Sequence, residues 1–124
     1  MSEVQQIKPL SGKKLRILQL TELELLLEFD RICRKNGIRY TIIGGTLLGA
    51  VRHKGFVPWD DDADVALLRS DYDAFVKALD EDLDKERFYF QDRFVTEAYR
   101  WGYGKLRRHG TSFIRPNTEH LPYD

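Results

Sequence analysis

Residues 40–69, YTIIGGTLLGAVRHKGFVPWDDDADVALLR, constrain this chain more than any other stretch, because they set Asp60, Asp61, Asp62 and Asp64 within five positions. Carboxylates that close repel one another unless a cation or bulk water screens them, so the local fold must either hold a cation or keep the run in solvent. The residues before the run bear on that choice. Residues 38–43, IRYTII, are β-branched and aromatic and few in number, the profile of a buried strand. Gly44 and Gly45 end it, permitting positive φ and a close approach to the backbone. Residues 46–53 return to helix-compatible composition, and Gly49, which costs about 1 kcal/mol of helix propensity relative to Ala, predicts a short helix. Pro58 then biases Val57 toward an extended connector. From Asp62 the sequence DADVALL reads as a second strand, on which Asp62 and Asp64, two apart, project to one face.

The flanks read as support. Ser11 caps a helix expected over 11–36, with Asn36-Gly37 as its stop. Leu18, Leu25, Phe29 and Ile32 make its apolar stripe, widened by Leu20, Leu23, Leu26 and Leu27, so burial on more than one side is expected. Ser70 with Asp73 suggests a capping box opening a packing helix over 70–84, carried by Tyr72, Phe75, Val76, Leu79 and Leu83. Residues 87–91, 99–107 and 111–115 read as strands in antiparallel hairpins, and the tail as loop. The fold class is α/β: a small mixed β-sheet with the two long helices packed on it. Residues 1–10 are expected to be a flexible N-terminus and 11–124 one domain, since 124 residues are short for two.

Composition removes several function classes. Lys plus Arg equals Asp plus Glu at 20 each, so nothing overall favours nucleic acid or an anionic membrane. A single Cys33 forms no intrachain disulfide and fits a reducing, cytoplasmic setting. No apolar leader and no run of eighteen apolar residues is present, so any membrane contact, such as one at the inner membrane face, would be peripheral. The oligomeric state is left open.

The chemistry is concentrated in the acidic segment. Asp62 and Asp64, with Asp60 beside them, supply hard oxygen ligands of the kind Mg²⁺, or Mn²⁺ in its place, accepts while it also holds substrate phosphates. Gly44, Gly45 and Thr46 can cradle phosphate oxygens at the helix N-terminus. Arg52 and Lys54 can neutralise a diphosphate, and His53 can act as a base. The competing readings are a solvated acidic loop, an ordinary glycine turn, surface charges and a solvated histidine. Trp59 stacks on a base or fills the core, with the core favoured. Lys105, beside Tyr103, Arg107 and Arg108, is a further candidate for phosphate or acceptor binding.

The run IIGGTLLGAVRHKGFVPWDDDADVALLRSDY resembles the LicD family of phosphocholine transferases, relatives of fukutin and fukutin-related protein within the nucleotidyltransferase superfamily. The likeness is carried by Gly44-Gly45-Thr46, Arg52-His53, Pro58-Trp59-Asp60 and Asp62-Ala63-Asp64, and extends over residues 15–80. It implies a nucleotidyltransferase-like fold and Mg²⁺-dependent transfer of phosphocholine, or a similar substituted phosphate, from a CDP-linked donor to a hydroxyl of a cell-surface glycan or lipopolysaccharide precursor. Asp62 and Asp64 would then be catalytic metal ligands, with Gly45 and Thr46 at the donor phosphates. The superfamily also uses a third carboxylate on a later strand, and Asp92 in FQDRF is the candidate here. Without a clear equivalent, the domain reads as truncated at its C-terminal end. The alternative is a nucleotide- or metal-binding module that works as a partner domain without turnover.

Overall fold

The computed structural model describes residues 12–99 and 101–112. Helix α1, Gly12–Asn36, runs 25 residues. It stops where expected: Gly37 takes a φ of +65°, and the Ile38 N–H reaches back 2.9 Å to the Cys33 carbonyl, a glycine-terminated helix end. Ser11 lies outside the described residues, as do residues 1–10. Only one face of α1 is deeply buried, through Leu15, Gln19, Glu22, Glu28, Phe29, Ile32 and Cys33. Leu20, Leu23 and Leu27 are exposed, so burial on several sides does not occur. A helix lying on the outside of so small a core has partners on one side only.

After α1 come β1 (Thr41–Ile42), α2 (Gly44–Arg52), β2 (Val65–Ala66), α3 (Arg69–Asp82), β3 (Phe88–Gln91) and β4 (Lys105–Arg108). Helices and small antiparallel sheets are thus mixed, in keeping with α/β. The expected single mixed sheet is replaced by two separate antiparallel pairs: Thr41 opposite Ala66 and Ile42 opposite Val65, then β3 against β4 with Phe88 opposite Arg108. The first pair is short for two local reasons. Gly44, at φ +58°, already opens α2, and the Asp60 carboxylate accepts the Asp62 N–H at 3.2 Å, a local turn that competes with strand pairing. Asp62 and Asp64 therefore precede β2 rather than lying on it.

Helix α3 begins one residue before Ser70, and Leu68 at its cap position makes no side-chain capping bond, so the Ser70–Asp73 box does not form. It ends at Asp82, and Asp84 instead turns the chain by accepting the Glu86 N–H at 3.2 Å and an Arg87 Nε bond at 2.7 Å. The second hairpin is shorter than the sequence suggests. Residues 101–104 are irregular before β4, where Tyr99 Oη donates to the Tyr103 carbonyl at 2.7 Å. Residues 111 and 112 are not strand, and 113–115 fall outside the described residues.

The core joins α1 to α3: Phe29, Ile32, Cys33, Ile38, Phe75 and Leu79 form one buried cluster. Phe29 meets Tyr40 edge-on at 4.7 Å and Phe75 at 4.8 Å, and Phe75 meets Phe90 at 5.9 Å, tying both strand pairs to the helix pair. Among the described residues no helix is long and apolar enough to cross a membrane.

Candidate active site

Two glycines of α2 let other groups approach its backbone where a side chain would intrude. A Cβ on Gly45 would lie 2.3 Å from Asp60 Oδ2, so the Asp60 carboxylate rests directly on the first turn of the helix. A Cβ on Gly49 would lie 2.3 Å from the Gly55 carbonyl oxygen and 2.7 Å from Val57 N, so the returning connector packs backbone to backbone against α2. The connector then places the acidic run at the N-terminal end of α2. There the Ile43 N–H donates to the Asp64 carbonyl at 3.2 Å, and the Asp64 N–H donates to Thr46 Oγ1 at 2.9 Å.

This brings Asp60, Asp62, Asp64, Gly45, Arg52 and Trp59 around one open cleft of about 310 Å³. Asp60, Asp61 and Asp62 each offer a carboxylate oxygen, all within 4.8 Å of one another. The tight group is therefore this consecutive trio, with Asp64 lining the same cleft. Three carboxylates this close suit a hard divalent cation, and the donor set is all oxygen. The positive end of α2 faces the same space.

The remaining candidates are distributed unevenly. Arg52 lines the cleft and donates through Nε to His53 Nε2 at 3.0 Å, while the His53 ring meets Trp59 edge-on at 6.3 Å. Lys54 is exposed, adopts φ +55° and does not line the cleft. Trp59 is 70% exposed, which corrects its expected place in the core. Val57, two residues earlier, fills that place at 4% exposure, and the Asp60 N–H to Val57 carbonyl bond of 2.9 Å turns the intervening Pro58-Trp59 outward. Lys105 sits on β4, its ammonium 5.6 Å from the Trp101 ring centre and 6.0 Å from that of Tyr103, away from the residues that line the cleft.

Asp92 has a different occupation. It is buried, and its Oδ2 accepts the Tyr72 hydroxyl at 2.8 Å while Oδ1 accepts the N–H groups of Phe94 and Val95 at 2.9 and 3.0 Å. Burial, and then that bond to Asp92, push the Tyr72 hydroxyl up to about 12. Asp92 is absent from the residues lining the cleft.

One residue near the site escaped the sequence reading. Gln19, buried in α1, donates through Nε2 to the carbonyls of Val57 at 3.3 Å and Asp60 at 2.9 Å. The available signal was a polar side chain at helical spacing between the buried Leu15 and Glu22.

The structure thus holds a carboxylate trio against a glycine-opened helix end. The family model described as the LicD/FKTN/FKRP nucleotidyltransferase domain matches residues 37–122, and the chain belongs to this family. Over 62 residues it is 52% identical to the lipopolysaccharide cholinephosphotransferase LicD of Haemophilus influenzae, covering 50% of this chain and 23% of that protein. An uncharacterized protein of Rickettsia prowazekii is 44% identical over 62 residues, covering 50% of this chain and 22% of that protein. Human ribitol 5-phosphate transferase FKRP is 49% identical over 35 residues, 28% of this chain and 7% of that protein. The matched segments thus span less than a quarter of these relatives. No solved structure matches the chain.

Proposed function

We propose that this chain carries the donor-binding part of a LicD-type phosphotransferase with a nucleotidyltransferase-like fold. It would move phosphocholine, or a similar substituted phosphate, from a CDP-linked donor to a hydroxyl of a cell-surface glycan or lipopolysaccharide precursor. The observation that carries the reading is the grouping of Asp60, Asp61 and Asp62 oxygens within 4.8 Å, with Asp60 seated on Gly45. Likeness to the Haemophilus influenzae cholinephosphotransferase and to the ribitol 5-phosphate transferase supports the reaction class.

In this reading Asp60, Asp61 and Asp62 hold Mg²⁺ or Mn²⁺, with Asp64 on the same cleft as a further ligand. When bound, the ion would offset charge that builds on the phosphoryl oxygens. The chain's own groups do the rest. Thr46 Oγ1 already accepts the Asp64 N–H, which leaves its O–H to donate to a donor phosphate beside the free N–H groups of the first turn of α2. Arg52 adds charge at the cleft wall, and the exposed Trp59 indole offers a face for the cytosine ring. The acceptor oxygen forms the new P–O bond as the bond to CMP breaks, and its proton passes to water in the open cleft, since the His53 Nε2 lone pair already accepts the Arg52 Nε–H at 3.0 Å.

A second reading, a nucleotide- or metal-binding module without turnover, is favoured by one observation: Asp92, the candidate third carboxylate, is engaged by Tyr72 and its own turn.

The test is thermal unfolding with Mg²⁺ or Mn²⁺, with and without CDP-choline and CDP-ribitol, on the wild type and on Asp62→Asn. A ligand at a hundred times its Kd stabilises by about 2.7 kcal/mol. The wild type should shift upward only with ion and nucleotide together, and Asp62→Asn should not. Indifference of the wild type to every combination would refute both readings, and binding beside a flat product assay would select the second.

A further inference from the structure

The acidic connector has no ladder to hold it. Residues 57–64 make few regular backbone bonds, yet Asp60, Asp61 and Asp62 converge to within 4.8 Å. Two short-range bonds lie within the connector, Asp60 N–H to the Val57 carbonyl at 2.9 Å and Asp62 N–H to Asp60 Oδ1 at 3.2 Å. Neither fixes the connector relative to the rest of the protein.

The long-range tie on the α1 side is Gln19. It is 3% exposed, and its single amide nitrogen donates across 38 residues to the Val57 carbonyl and across 41 to that of Asp60. Both amide hydrogens are thereby used. Its Oε1 accepts Arg16 Nη1 at 3.2 Å, which fixes the amide the right way round. The two carbonyls bracket Pro58 and Trp59, so the clamp sets where the trio begins.

We propose that Gln19 is the positioning residue of the carboxylate trio, and that α1, whose residues precede the matched segment beginning at 37, is part of the site rather than a neighbour of it. The consequence for a cation rests on the proposed function, whereas the clamp itself does not.

The experiment uses the full chain, with Mn²⁺ alone as probe. Mn²⁺ affinity is read from the electron paramagnetic resonance of the free ion, and loop geometry from hydrogen exchange of the Asp60 and Asp62 amides without metal. Gln19→Met keeps the length of the side chain and removes both donors. Glu28→Gln, which weakens the hold of α1 on Asp84 far from the trio, controls for a loosened helix. Gln19→Met should weaken Mn²⁺ binding roughly 10- to 100-fold, the usual cost of losing a group that orients ligands. It should also speed exchange at Asp60 and Asp62, with Glu28→Gln doing neither. Unchanged exchange and affinity, or an equal loss in both variants, overturns the proposal. If the wild type binds no Mn²⁺, faster exchange in Gln19→Met alone sustains the clamp while the cation reading fails. Should Gln19→Met not fold, Gln19→Glu, which keeps shape but lacks the two donors at neutral pH, is read by exchange in the same way.

Discussion

The backbone N–H of Asp64 donates to Thr46 Oγ1 at 2.9 Å, so one hydroxyl joins the acidic run to the first turn of α2 across 18 residues. Thr46→Val removes that acceptor without changing shape. Because the Asp64 amide can turn to water, the stability loss should be about 0.5–1 kcal/mol. Donor affinity should fall further, since the hydroxyl proton goes too. Thr46→Ser should restore both, as calorimetric titration with a CDP-linked donor and thermal unfolding would show; a serine variant as impaired as the valine one would contradict this role.

The two glycines of α2 should respond differently to alanine. At Gly49 the new Cβ meets backbone, Gly55 O and Val57 N, which cannot rotate away. Gly49→Ala should therefore cost about 2–3 kcal/mol in chemical denaturation. At Gly45 it meets only the Asp60 carboxylate, a side chain free to swing. Gly45→Ala should leave the unfolding midpoint nearly unchanged and weaken divalent-ion binding instead. A large stability loss at Gly45 would mean the carboxylate has nowhere to go.

Glu28 anchors the far end of α1. Its carboxylate accepts Arg31 Nε and Nη2 at 2.7 and 2.8 Å and the Asp84 N–H at 2.8 Å. The Arg31 hydrogen bond is the main reason its pKa lies below 4.5; burial opposes this, and the Asp84 N–H adds to it. A carboxyl group whose folded pKa is depressed contributes stability that is complete above its unfolded value and lost as pH falls through the folded one. Glu28→Ala should cost about 2 kcal/mol at neutral pH, less than for a sealed ion pair because the half-exposed Arg31 regains water. The difference from wild type should shrink below pH 4.5 in denaturant titrations at stepped pH. A gap independent of pH would assign the effect to packing.

Cys33 is buried, and desolvation pushes its thiol up to about 11. Only the thiolate reacts readily, so in the folded protein it should resist a chromogenic disulfide at pH 8 and react fully in denaturant. Rapid reaction of the native chain would show that the core opens at Cys33.

The sequence made α1 and α3 legible because a 3.6-residue apolar period survives on helices that bury one face: Phe29 and Ile32 on one, Phe75 and Leu79 on the other. The strands were less legible. Placing Asp62 and Asp64 on one face assumed extended backbone, and the Asp60 side chain turned the chain before pairing began. For Trp59 the sequence leaves stacking on a base or filling the core, with the core favoured, and the turn at Val57 decides instead which residue goes inward. Of the candidates that local pattern marks, Gly45, Arg52, Trp59, Asp60, Asp62 and Asp64 line one cleft, whereas Gly44, Thr46, His53, Lys54 and Lys105 do not, Thr46 meeting the acidic run through the Asp64 N–H. Gln19 could not be assigned a partner in this way, since its contacts lie 38 and 41 residues downstream.

Along its length α1 grips three parts of the molecule: the connector through Gln19, β4 through the 2.9 Å Glu24–Arg108 ion pair, and the turn after α3 through Glu28 at the Asp84 N–H. It is a spine for two small antiparallel strand pairs, neither large enough to stand alone. Melting should accordingly be all-or-none, with the indole of Trp59 and that of Trp101 losing their native surroundings at the same temperature.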